Sequence, residues 1–172
     1  MSKVLIAFFS RRGQNYVSGT IKNIPVGNTE VVAGIIQEIT GGDMFKIDTV
    51  KEYPVDYMQT TEVAQDEKHA KARPKLADHV DNMDEYDTII LGYPNWWGAM
   101  PMAVYTFLEE YDFSRKLILP YCTNEGSGLS GTERDIAKKC PKATVKTGIS
   151  IHGSSASSAK TSIESWLKKN IK

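Results

Sequence analysis

Apolar runs of strand length alternate with stretches of helical spacing along the whole chain, and this alternation limits the fold more than any other feature. Val4 to Phe9 is continuously apolar, as expected for a central parallel strand covered on both faces. Val31, Val32, Ile35, Ile36 and Ile39 then recur at helical spacing until Gly41 and Gly42 stop the helix. "DMFKID" predicts a second strand and "TTEVAQDEKHAKARP" a polar helix with a thin apolar face. "DTIILGYP" predicts a third strand and "PMAVYTFLEEY" a helix opened by Pro101. "KLILPYC", "SGTERDIAKK", "TVKTGISIHG" and "SAKTSIESWLKKN" continue as strand, helix, strand, helix. Parallel strands joined by right-handed crossovers follow, giving an α/β three-layer sandwich around a five-stranded parallel sheet. Ser154, Ser155, Ser157 and Ser158 are expected to cap the last helix, whose Ile163, Trp166 and Leu167 pack on the sheet.

No linker or fixed-period repeat divides the 172 residues, so one domain over residues 1–172 is expected. Lys plus Arg and Asp plus Glu both number 21, and a formal net charge of zero argues against a general affinity for nucleic acid or anionic membrane. The Val4 to Phe9 run is too short to span a membrane. Cys122 and Cys140 form no close pair motif, which fits a reduced, cytoplasmic setting. His69, His79 and His152 are too far apart to form a metal set and are expected on the surface or in loops. Ser130 lies in "GLSG", which is not a nucleophile elbow, so hydrolase chemistry is disfavoured.

Open parallel sheets bind ligands beyond the carboxyl ends of their strands, near the point where strand order reverses. Three such segments stand out. The first follows Ser10 and resumes at Gly27-Asn28-Thr29, where unpaired N–H groups and the helix dipole would favour a phosphate. Asn28 or Thr29 could equally be a simple helix cap. The second is "YPNWWGAMP", whose adjacent tryptophans either cap the end of the sheet or offer a stacking surface. The third, "CTNEGSGLSG", is rich in Gly and Ser and suits the edge of a polar heterocycle. A phosphate socket, a stacking surface and a polar edge at one end of one sheet match the needs of a flavin mononucleotide.

"SRRGQNYVSGTIKNIPVGNTEVVA", "LGYPNWWGAMPMAVYTFLE" and "CTNEGSGLSG" together resemble the flavodoxins, specifically the long flavodoxin-like subgroup with an insertion in the first loop. The resemblance implies a flavodoxin-like strand order of 2-1-3-4-5, FMN as cofactor, and a phosphate loop split into Ser10 and Gly27-Asn28-Thr29 by the excursion Arg11 to Val26. Arg11, counted among the cofactor residues, and Arg12 could reach the phosphate or an acidic partner, or simply be solvated. Pro94, Asn95, Trp96, Trp97 and Gly98 are placed by the resemblance against the isoalloxazine ring, with the Gly98 carbonyl near N5 of the reduced flavin. Thr123, Glu125, Gly126, Ser127 and Gly128 would flank the other side or the polar edge, and Glu125 could lower the reduction potential. "CTNEGSG" lacks the aromatic residue that flavodoxins commonly place over the flavin from this loop. The function implied is electron transfer between redox partners by a monomer or weak dimer. FMN-dependent NAD(P)H reduction of a quinone or another small electron acceptor is an alternative reading, and a non-catalytic binding or signalling module is a third.

Overall fold

The computed structural model describes residues 3–171. Among these the chain runs β1 (Val4–Phe8), β2 (Gly13–Val17), β3 (Thr20–Ile24), α1 (Asn28–Thr40), β4 (Asp43–Lys46) and α2 (Tyr57–Ala70). It continues through β5 (Thr88–Pro94), α3 (Met102–Glu110), β6 (Leu117–Asn124), α4 (Thr132–Lys139), β7 (Thr144–Val145), β8 (Ile149–His152) and α5 (Lys160–Asn170). The main sheet is parallel in the order β4-β1-β5-β6-β7, and β8 also pairs with β6.

β7 and β8 share one position in the sheet. Leu117 and Ile118 pair with Thr144 and Val145, and Tyr121 to Asn124 pair with Ile149 to His152. The predicted 2-1-3-4-5 order is therefore present, with its fifth strand broken at Lys146 to Gly148. Pro120 explains the break. The Ile118 carbonyl accepts the Lys146 N–H, so alternate residues of β6 face the fifth strand, and at Pro120 there is no N–H to offer. Gly148 fills the gap, its N–H donating to Glu133 Oε2 at 2.6 Å.

The two faces of the sheet follow the period of two in each strand. Val4, Ile6 and Phe8 of β1 pack with Val32, Ala33 and Ile36 of α1 and with Ile163, Trp166 and Leu167 of α5. Leu5 and Ala7 point the other way, into a core shared with Ala103, Val104 and Phe107 of α3 and Ile136 of α4. The expected three layers are thus α1 and α5, the sheet, and α3 and α4.

The excursion Arg11 to Val26 has a structure of its own, and one expectation needs correction. β2 and β3 form an antiparallel hairpin separate from the main sheet, turning at Ser18 (φ 52°) and Gly19 (φ 84°). Left-handed conformations at both central residues match the twist of a two-residue hairpin turn. The serines near the end do not cap α5. They lie in a 3-10 turn, Gly153–Ser158, and α5 begins after Ala159 without a side-chain cap bond. Ala156, 2% exposed, anchors this turn in the core, so the serines face outward.

One core contact positions the start of α1. Tyr121 is fully buried, and its ring crosses Gly92, where a Cβ would lie 2.0 Å from the Tyr121 Cζ. The phenol donates to the Thr29 carbonyl at 2.9 Å. Gly92→Ala should therefore destabilise the protein by about 3 kcal/mol through overpacking, and Tyr121→Phe by about 1 kcal/mol through loss of one buried hydrogen bond. Urea unfolding midpoints of the two variants would check both values; equal midpoints for Gly92→Ala and the parent would refute the notch.

Candidate functional site

The carboxyl ends of β1, β5 and β6 meet at a cavity of about 610 Å³. β1 lies between β4 and β5, so chain order reverses beside it, where an open parallel sheet offers a crevice. Asn28 and Thr29 of α1, Pro94 to Trp97 after β5, and Thr123, Asn124, Glu125 and Ser127 after β6 line this space, as does Gly153. Ser10, Gly27, Gly98, Gly126 and Gly128 do not line it; each shapes a turn behind the lining.

The first of these turns rejoins two halves of a loop. Gly27 is the N-cap of α1 and has no side chain to cap with. Ser10, at the end of β1, does so instead: its Oγ accepts the Glu30 N–H at 3.1 Å. A Cβ on Gly27 would sit 2.1 Å from Ser10 Oγ and 2.6 Å from the Arg11 carbonyl, so only glycine permits the approach. The helical ladder starts with the Val31 N–H on the Gly27 carbonyl. The N–H groups of Asn28 and Thr29 have no acceptor among the described residues and lie at the positive end of the helix dipole. They could hold a phosphate. The Thr29 hydroxyl is committed elsewhere, 2.7 Å from that of Thr123, and this pair ties α1 to β6.

Arg11 lines the cavity, but its guanidinium is held on backbone. Nε donates to the Gln14 carbonyl at 3.0 Å, and Nη2 to the carbonyls of Pro54 and Val55 at 3.0 and 2.9 Å. Partial burial lowers its pKa from the ordinary arginine value. These bonds brace the hairpin against the loop that precedes α2. Arg12 is exposed.

The tryptophan loop is a tight turn. Trp96 and Ala99 exchange N–H to carbonyl bonds of 2.8 and 3.1 Å, with Trp97 (φ 57°) and Gly98 (φ 74°) at its centre. A left-handed tryptophan is strained, and its neighbours must hold it. Asn95 does this: its Oδ1 accepts the Gly98 N–H at 3.0 Å while Nδ2 donates to the Gly128 carbonyl and Ser130 Oγ at 2.9 and 2.8 Å. The loops after β5 and β6 thus become one unit. The two rings differ in their surroundings, although both line the cavity. Trp96 wedges edge-on against Phe9 and Tyr53, with centroids 5.1 and 5.2 Å away, and closes the end of the sheet. Trp97 remains 48% exposed at the cavity, its Nε1 donating to the Thr61 carbonyl at 2.8 Å and its own carbonyl taking Lys68 Nζ.

In the loop after β6, Asn124 Oδ1 accepts the N–H groups of Gly126 and Gly128 at 2.9 and 3.0 Å. Cys122 is buried within the core, and burial pushes its thiol up to about 12, so it packs quietly. Glu125 lines the cavity with one of its two oxygens engaged. Its Oε1 accepts the N–H of Ser18, at the hairpin tip, at 2.9 Å. Its Oε2 lies 2.8 Å from His152 Nδ1, but that nitrogen is aligned on Ser154 Oγ at 2.7 Å, leaving Oε2 without a directed hydrogen bond. His152 is a surface residue, as expected, but one at the rim of the site.

Sequence reasoning missed one whole side of the cavity. Asn15, Tyr16 and Ile21 come from the hairpin, and Tyr57, Met58, Thr60, Thr61 and Ala64 from α2. The signals were there: "NYVSGTIK" places strand-forming residues on both sides of a Ser-Gly turn, and α2 has a thin apolar face. Of its residues only Thr60 and Ala64 are buried, and both also line the cavity with Tyr57 and Met58.

Comparison with known proteins agrees with this architecture. The flavodoxin family model matches residues 3–170. A Bacteroides eggerthii protein described as a candidate flavoprotein superimposes with a TM-score of 0.80 at 25% identity, covering 99% of this chain and 98% of that one. A second, from Bacteroides uniformis, gives 0.72 at 28% identity, covering 95% and 98%. A Lactobacillus acidophilus flavoprotein in complex with FMN gives 0.65 at 20% identity, covering 92% and 98%, and at that identity shows the shared fold alone. A search among curated proteins returned no match. With the family model covering nearly the full chain and the sheet order, the crevice and its three turns all in place, the chain belongs to the flavodoxin family.

Proposed function

We propose that the protein binds FMN in the cavity beside β1 and transfers electrons between redox partners. The observation that carries this reading is the convergence of the α1 N-terminus, the tryptophan turn and the loop after β6 on one space of about 610 Å³, within the usual size range of ligand sites. The residues fit the group. The free N–H groups of Asn28 and Thr29 suit a phosphate monoester, and the glycine notch at Gly27 brings them beside Ser10. Trp97 offers an aromatic surface, and Thr123 to Ser127 offer polar backbone to a heterocycle's edge. When bound, FMN supplies one- and two-electron redox chemistry. The chain's part is to hold the ring, keep water from it and orient its edge. The family relationship supports the same reading, as does the FMN held by the Lactobacillus acidophilus protein.

A second reading, reduction of a quinone or similar small acceptor at the expense of NAD(P)H, is favoured by the cavity mouth. Met58, 58% exposed, lines the same cavity as Trp97, and the zero net charge gives no overall field to steer a charged protein partner.

Purified protein should be yellow or take up added FMN, and riboflavin should bind far more weakly because it lacks the phosphate. Asn28→Asp adds a negative charge at a first-turn side chain that lines the cavity and should weaken FMN binding by about tenfold, while riboflavin changes little. Fluorescence titration of the apoprotein measures both; equal FMN and riboflavin affinity in the parent would defeat the phosphate socket. Mixing the flavin-loaded protein with NADH or NADPH and a quinone separates the two readings. Steady turnover selects the reductase, and its absence, with one-electron-reduced flavin accumulating during stepwise reduction, selects the carrier.

A further inference from the structure

The inserted hairpin crosses the cavity from one wall to the other. At its base, Gln14 Oε1 accepts the Tyr57 N–H at 2.7 Å, and Arg11 is held on the carbonyls of Pro54 and Val55. At its tip, the Ser18 N–H reaches Glu125 Oε1, on the loop after β6. Between these anchors Tyr16 pairs directly with Ile21 across the two strands. Directly paired residues project from the same face of a ribbon, and both of these side chains line the cavity. Tyr16 also stacks on Tyr57, with ring centroids 6.5 Å apart and planes 26° from parallel.

This arrangement supplies something the site otherwise lacks. The segment from Thr123 to Ser130 contains no aromatic residue, so that loop contributes no ring face to the cavity. Trp96 lines the cavity but is wedged edge-on against Phe9 and Tyr53. Tyr16 and Ile21 are 46% and 47% exposed, whereas the other two apolar side chains of the strap, Val17 and Ile24, are partly buried. Covering Tyr16 and Ile21 with a flat ring would remove apolar area from water at no cost to the core.

We propose that Tyr16 is a ring-binding residue: with Ile21 it forms a cover, latched by Glu125 at the hairpin tip, under which the flat ring of the flavin is held. The insertion thereby takes over the aromatic role that the loop after β6 lacks. The inference rests on the FMN reading above and adds an element to it.

The test compares parent, Tyr16→Ala, Tyr16→Phe, Glu125→Ala and Glu125→Gln apoproteins, titrated with FMN and with riboflavin. Tyr16→Ala should weaken both flavins about tenfold, because the ring and not the phosphate loses its contact, whereas Tyr16→Phe should stay within about twofold of the parent. Glu125→Ala should speed flavin release about tenfold in stopped-flow dilution, and Glu125→Gln, which still offers an oxygen to Ser18, should restore slow release. Tyr16→Ala gives up the stacking on Tyr57, so the thermal midpoint of its apoprotein should fall by only about 2 to 4 °C, leaving the fold intact. Parent-like affinity of Tyr16→Ala for both flavins would overturn the proposal while leaving the FMN reading intact. A parent that binds neither flavin would overturn the FMN reading itself, and this inference with it.

Discussion

The start of α1 is held by Thr29, and the site is arranged around that attachment. Its hydroxyl meets that of Thr123, and its carbonyl takes the Tyr121 phenol, so two residues of β6 fix the first turn of a helix that follows β1. Each bond contributes on the order of 1 kcal/mol, and each is buried, where leaving either partner unpaired would cost more. Their consequence is positional. With Thr29 pinned and Ser10 capping Glu30, the first turn of α1 lines the crevice at the carboxyl ends of β1, β5 and β6, held there independently of the sixteen residues from Arg11 to Val26. Gly27 and Gly92 are the spaces that let these close approaches occur.

The same economy of contacts joins the other two turns. Asn95 holds the left-handed turn of Trp97 and Gly98 with its oxygen and the loop after β6 with its nitrogen. One amide side chain therefore sets the distance between two walls of the cavity. Asn124 does the corresponding work within its own loop. Strain at Trp97 is tolerated because its indole N–H and its carbonyl both find partners on α2.

The hairpin and α2 form the remaining wall, and they depend on each other. α2 buries little against the sheet, but Tyr57 receives both the Gln14 side chain and the Tyr16 ring. Arg11, which in the sequence stands beside an expected anion site, satisfies backbone carbonyls at the junction of the two. Arg11 thus lines the cavity with its Nε and Nη2 already bonded.

The alternation of apolar runs was enough to determine the layers and the parallel sheet, because strands buried on both faces and helices buried on one leave different periodicities in the chain. The residues bracketing three strand ends, Ser10 with Gly27 to Thr29, Pro94 to Trp97, and Thr123 to Ser127, were equally legible, since glycine, hydroxyl and indole groups are conspicuous where a strand stops. Tertiary structure decided the rest. The break in the fifth strand depends on which side of β6 Pro120 faces, and the separate fates of Trp96 and Trp97 depend on Phe9, Tyr53 and Thr61, which lie far from them in the chain. The roles of Arg11, Glu125 and the hairpin were likewise beyond reach of a linear reading. Each is set by a hydrogen bond to a backbone group 43 to 107 residues away, and a backbone N–H or carbonyl carries no sequence signature of its own.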